Sequence, residues 1–95
     1  MNVRYYIDPD TGEPHIYNHG VRESEVEDVL RRSREDRPGH GGARVAIGRT
    51  QANRALRVIY VPDPQPQSVF VITAYALTGK PLLAYRRRLR RRGGR

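Results

Sequence analysis

The chain of 95 residues contains no cysteine, which excludes a disulfide framework and thiolate chemistry and suits a reducing compartment. No apolar run approaches the roughly 20 residues that a membrane-spanning helix requires. The N-terminal stretch MNVRYYIDPD also lacks the apolar region of a signal peptide. The expectation is a soluble, cytoplasmic protein with no membrane partner. At this length there is room for one core and not for two, so residues 1–92 read as a single domain and 93–95 as a disordered tail.

Acid is missing from the last third of the chain. All ten Asp and Glu residues lie at or before Asp63. Up to that point ten arginines balance ten carboxylates. Beyond it stand Lys80 and seven arginines without a single acid, so the formal net charge of +8 belongs to residues 64–95. A charge segregated in this way makes a directional field. It points to a polyanion, most simply nucleic acid, or to an acidic protein partner.

The remaining residues divide into short elements. Arg4 to Ile7 reads as a short strand, followed by DPDTGEP, a segment dense in turn formers. In RESEVEDVLRRS, Val26, Val29 and Leu30 recur at helical spacing opposite a face of glutamates that reads as a solvated surface, which predicts a helix over about 23–33. Arg22 as N-cap would put Val21 and Val26 at the staple positions and Glu25 at the third helical residue; a start at Ser24 with Glu27 fits almost as well. SREDRPGHGG has no apolar residue and reads as a mobile surface loop. Three strand-like runs follow, ARVAIG, ALRVIYV and SVFVITAY, joined by links too short for parallel crossovers, hence an antiparallel meander. Period-two alternation separates Leu56, Val58 and Tyr60 from Arg57, Ile59 and Val61, and Val69, Val71, Thr73 and Tyr75 from Phe70, Ile72 and Ala74. GKPLLAYRRRLRRR predicts a second helix, with Pro81 in its first turn and Leu82, Tyr85 and Leu89 on a docking stripe. Its remaining circumference is arginine, and the pairs 86/90, 87/91 and 88/92 repel one another.

Familiar catalytic signatures are absent. There is no G-x-S-x-G elbow and no Walker loop. His15 and His19 have the spacing of a helical metal pair, but Pro14 and Gly20 argue against a helix there, and the segment supplies too few ligands; no metal and no cofactor are expected. An inventory of Arg, Tyr, Lys and His facing a polyanion can cleave RNA without metal. The RNA's own 2′-hydroxyl attacks the adjacent phosphate, a base takes its proton, an acid protonates the leaving 5′ oxygen, and arginines stabilise the added charge. The simpler reading is that arginines bind phosphates while tyrosines fill the core or stack on bases.

Three segments, NHGVRESEVEDVL, VAIGRTQANRALRVIYV and VFVITAYALTGKPLLAYRRRLRRR, resemble the BrnT-type toxins of the RelE-like ribonuclease superfamily over about residues 15–92. Asn18 stands where those toxins commonly have lysine, and Arg22 where they have Ser or Thr. The resemblance implies an α+β, RelE-like fold, in which a three- to four-stranded antiparallel sheet packs against one helix and a basic helix ends the chain. It also implies a metal-independent RNA endonuclease of a bacterial toxin–antitoxin pair, with RNA (ribosome-associated mRNA among the possibilities) and a cognate antitoxin as partners. His19 would then be a general acid or base, Arg49 and Arg54 phosphate clamps at a hairpin, and Tyr75 and Lys80 groups of the strand-to-helix junction. The catalytic set expected on this basis is His19, Arg49, Tyr75 and Lys80. RNA contacts fall to Arg54, Arg57, Tyr85, Arg86, Arg87, Arg90 and Arg91. A non-catalytic nucleic-acid-binding module of the same fold, or an interaction subunit for an acidic protein, would use the same basic surface.

Overall fold

Helix α1 (Glu23–Arg32) starts with Arg22 as its N-cap. The Arg22 backbone N–H donates to the Glu25 carboxylate at 3.0 Å, and Val21 and Val26 are both fully buried, so a polar bond and an apolar contact close the first turn together. Glu23 and Glu25 in the first turn and Arg31 and Arg32 in the last complement the helix dipole. Before it, residues His15–His19 form one turn of 3-10 helix despite Pro14 and Gly20, closed by Gly20 in the left-handed region (φ 69°) and anchored by buried Ile16. These elements belong to a computed structural model that describes residues 1–93.

The sheet contains β1 (Asn2–Tyr5), β2 (Glu35–Pro38), β3 (Arg44–Arg49), β4 (Ala55–Pro62) and β5 (Ser68–Ala76), in the order β1-β5-β4-β3-β2. Strands β2 to β5 make an antiparallel meander, and β1 joins β5 in parallel. The fold is α+β as expected, but the sheet is five-stranded and mixed where three or four antiparallel strands were expected. Helix α2 (Gly79–Gly93) includes Gly93 from the expected tail; residues 94 and 95 lie outside the described residues.

Two other expectations change. The supposed mobile loop supplies edge strand β2, although Glu35-Asp36-Arg37-Pro38 has little intrinsic strand preference. Pairing with β3 and the ion pairs described below decide its conformation, and charges with a terminal proline suit an edge. The simple alternation expected along β5 is broken by a bulge: Ile59 pairs with Thr73 but Tyr60 pairs with Val71, leaving Ile72 extra. Val69 and Val71 therefore share a face with Ala74, and Tyr75 turns to the opposite side with its cross-strand partner Arg57.

The two helices lie on opposite faces of the sheet. Ala46, Leu56, Val58, Val71 and Ala74 meet Val26 and Val29 of α1 in the main core. On the other face Ile47, Ala55 and Leu77 meet Tyr85, with Leu82 and Leu89 beside it, so the predicted α2 stripe is the docking stripe. The approach of α1 is close because β3 has glycine beneath it. A Cβ on Gly48 would sit 3.0 Å from the Ser33 Cα. Gly48→Ala should therefore lower the unfolding free energy by about 1–3 kcal/mol through overpacking; an unchanged urea midpoint would show that α1 does not press on β3 there.

Candidate nucleic-acid interface

The sheet separates the charges of the molecule. Glu23, Glu25, Glu27 and Asp28 all belong to α1 on one face. The opposite face receives Arg37, Arg49 and Arg57, whose cross-strand partners Val45, Ala55 and Ile47 pack in the α2 cluster, together with the arginines of α2 itself.

Carboxylates on the α1 side are largely consumed within the fold. Arg54 donates to both Glu25 oxygens at 3.0 Å and to the Gly20 carbonyl at 3.0 Å, tying the β3–β4 hairpin to the start of α1. Burial opposes ionisation of Glu25, but the Arg22 N–H and the Arg54 guanidinium outweigh it and hold its carboxyl below 4.5. The glutamate face of α1 is thus not uniformly solvated. Arg54, expected to clamp phosphate, has its charge matched internally.

On the α2 side one carboxylate organises the helix. Glu35 on β2 is 6% exposed and accepts from Arg88 Nε (2.6 Å) and Nη2 (3.1 Å), from Arg92 (2.8 Å) and from Arg37 (3.3 Å). Arg92 also caps the Arg34 carbonyl at 2.7 Å. The Arg88 hydrogen bond is the chief reason that the Glu35 carboxyl lies below its ordinary 4.5. Arg86, Arg87, Arg90 and Arg91 point outward, exposed and without an ion pair or hydrogen bond among the described residues. The helix thus divides its arginines into a docking pair and a free set.

Tyr85, expected to contact RNA, is fully buried, so no base can stack on its ring. It forms one wall of a cleft of about 620 Å³ that is also lined by Arg32, Arg34, Arg49, Asn53 and Leu89. The Arg49 guanidinium lies 5.9 Å from the Tyr85 ring centroid and donates to the Asn53 carbonyl at 3.0 Å. Burial pushes the Tyr85 phenol up from its ordinary value, against the opposing pull of Arg49, so it stays protonated at neutral pH.

Of the four residues expected to be catalytic, His19 and Tyr75 meet ring to ring, while Arg49 and Lys80 make no contact with them among the described residues. The His19 ring is 6.0 Å from Tyr75, edge-on, and 5.2 Å from His15. Tyr75 accepts a long hydrogen bond from Arg57 (3.4 Å), whose guanidinium lies 5.9 Å from its ring centroid. Arg49 belongs instead to the Tyr85 cleft, and Lys80 is exposed at the start of α2. His15, set aside above as a metal ligand, faces Asp8 with Nδ1 3.3 Å from Oδ2. No group of three or more His, Asp or Glu side chains is arranged for a metal among the described residues. Arg34 and Glu35 carried no signal in the sequence because they lie within what reads as a polar loop, and Arg32 because it sits at the end of the predicted helix.

No protein-family profile, curated protein or solved structure matches the chain.

The lowered carboxyls of Glu25 and Glu35 fix the sign of acid sensitivity. Their stabilising contribution is complete above the unfolded value of 4.5 and is lost as the pH falls through their lower folded values. The denaturation midpoint should hold from neutral pH down to about 5 and decline below it. Glu35→Gln should cost about 1–3 kcal/mol at neutral pH, the range of charge-assisted hydrogen bonds, and flatten part of the acid decline; an acid limb identical to wild type would remove Glu35 from its docking role.

Proposed function

We propose that this chain binds RNA with the α2 face of its sheet and acts as a toxin-like, metal-independent ribonuclease of a bacterial toxin–antitoxin pair in the cytoplasm. The observation that carries the binding reading is the separation of charge across the sheet. Acid lies on α1, whereas Arg86, Arg87, Arg90 and Arg91 project from α2 without partners among the described residues. Counterions gathered by such an array are released when phosphates replace them, which favours a polyanion over a single charged ligand. Arg57 beside Tyr75 adds a guanidinium and an aromatic ring on the same face, a combination suited to unpaired bases.

The narrower part of the proposal, cleavage, rests on the resemblance to BrnT-type toxins and on a residue set able to work without metal. In that reading the 2′-oxygen forms a new bond to phosphorus as the bond to the 5′ oxygen breaks. Arginines on this face stabilise the added negative charge, His19 takes the 2′-hydroxyl proton, and water supplies the proton to the leaving 5′ oxygen. The separation of His19 from Arg49 favours a second reading, an RNA-binding module of the same fold without cleavage. The two differ in one measurement: purified protein incubated with RNA in EDTA should yield 2′,3′-cyclic or 3′-phosphate ends under the first and intact RNA under the second.

Binding can be tested without disturbing the docking pair. Arg86, Arg87, Arg90 and Arg91 replaced together by Gln should leave the fold intact, since Arg88 and Arg92 still hold Glu35. RNA affinity should fall, and the slope of log K against log salt should shrink by about 0.7 for each phosphate of a single strand that the protein no longer neutralises. Unchanged affinity and slope in the fourfold variant would move RNA away from α2.

A further inference from the structure

We propose that the cleft between the end of α1, the start of β2, the β3–β4 hairpin and α2 is a site for a terminal phosphate of RNA, held by Arg32, Arg34 and Arg49 with the Tyr85 hydroxyl as a fourth donor. The identity of the ligand's source rests on the RNA-binding reading; the phosphate site itself does not.

The donor set selects the ligand. Three guanidinium groups line the cleft, no carboxylate does, and Thr50, Gln51 and Asn53 complete the lining with neutral polar residues. A single carboxylate offers two oxygens and a phosphodiester two unbridged ones, whereas a phosphomonoester offers three and a second negative charge. Three forked donors around one space therefore suit the monoester best. The volume of about 620 Å³ exceeds that of a phosphate alone and accommodates the nucleotide that carries it.

Tyr85 supplies an independent observation. Its side chain is fully buried, and its hydroxyl oxygen, itself inaccessible to solvent, has no hydrogen-bond partner among the described residues. Buried polar atoms in folded proteins are almost always paired, and of the three left unpaired among the described residues (Arg57 Nε, Thr73 Oγ1 and the Tyr85 hydroxyl) the Tyr85 hydroxyl belongs to a residue lining this cationic cleft, where a bound anion would supply its acceptor. Arg49, Arg34 and Arg92 act on this phenol electrostatically, with Glu35 opposing them, so three of the four charges that reach it are positive. Arg49 is already oriented by the Asn53 carbonyl and by the Tyr85 ring, making it and Tyr85 the rigid part of the site. Arg32 and Arg34 are exposed and close over the anion on flexible stems.

The test uses the full chain with inorganic phosphate, uridine 3′-monophosphate and uridine as probes, read by calorimetry and by 31P NMR. Phosphate and the nucleotide should bind saturably, and uridine should not. Tyr85→Phe should weaken phosphate binding about tenfold or more, as expected for loss of a hydrogen bond to a charged group, without lowering thermal stability, since only an unpaired hydroxyl is removed. Arg49→Gln should weaken it further, while Arg86→Gln with Arg87→Gln should change it less than twofold. Equal affinity in Tyr85→Phe, or no saturable phosphate binding by the wild-type chain, overturns the site. Phosphate binding that Tyr85→Phe abolishes but that an RNA oligomer ending in phosphate cannot displace keeps the site and overturns RNA as its source. Displacement by a glutamate-rich peptide at the same concentration as RNA would overturn the phosphate assignment in favour of an acidic protein.

Discussion

A helix that carries six arginines between residues 86 and 92 repels itself, and its apolar stripe of Leu82, Tyr85 and Leu89 is narrow. What seats it is the carboxylate of Glu35, buried on β2 and met by Arg88, Arg92 and Arg37. A buried acid without such partners would be costly, and the partners without the acid would add to the repulsion. Because the same contact pulls the polar segment 35–38 against β3, it also completes the sheet. Once α2 is seated, Tyr85 enters the second core and lines one cleft with Arg49 and Arg34. The candidate cleft is thus a by-product of one ion-pair cluster.

Three guanidinium groups share this single carboxylate, so docking α2 leaves surplus positive charge on its face and does not neutralise it. On the other face the reverse logic applies. Arg54 reaches across from the hairpin to Glu25, and Arg31 pairs with Asp28, so two of the basic groups beside the acidic helix are matched by its carboxylates. The sheet, with an apolar cluster on each face, keeps the two sets apart. A polyanion approaching the molecule meets opposite signs according to the face it approaches, which orients it before any contact forms. The proposed functional surface is therefore defined by the fold, and not by the basic tail acting alone.

The elements legible in the sequence were those whose signals lie within a few residues of one another. The N-cap at Arg22 with Glu25, the stripe of Val26, Val29 and Leu30, the alternation of Leu56, Val58 and Tyr60, and the docking stripe of α2 all appear as read. The strand at 35–38 was not legible, because a polar stretch of this kind becomes a strand only when β3 and two arginines more than fifty residues away hold it. Nor was the bulge at Ile72 visible, since an unbroken run of strand formers hides an extra residue until its partner strand sets the register. That bulge moved Tyr75 to the face of Arg57 and so changed which residues can act together.

By itself the sequence determined the α+β class, the presence of its two α-helices, the charge of its last third and the apolar stripe that would dock the final helix. Those follow from capping, periodicity and charge count, which are properties of neighbouring residues. The tertiary structure alone decided that β1 lies parallel to β5, that Arg54, Arg88 and Arg92 are spent on internal carboxylates, and that Arg32, Arg34, Arg49 and Tyr85 share one cleft. Whether an arginine is free or paired depends on which carboxylate folding brings within about 4 Å of it, where the attraction is strong, and no linear spacing encodes that distance.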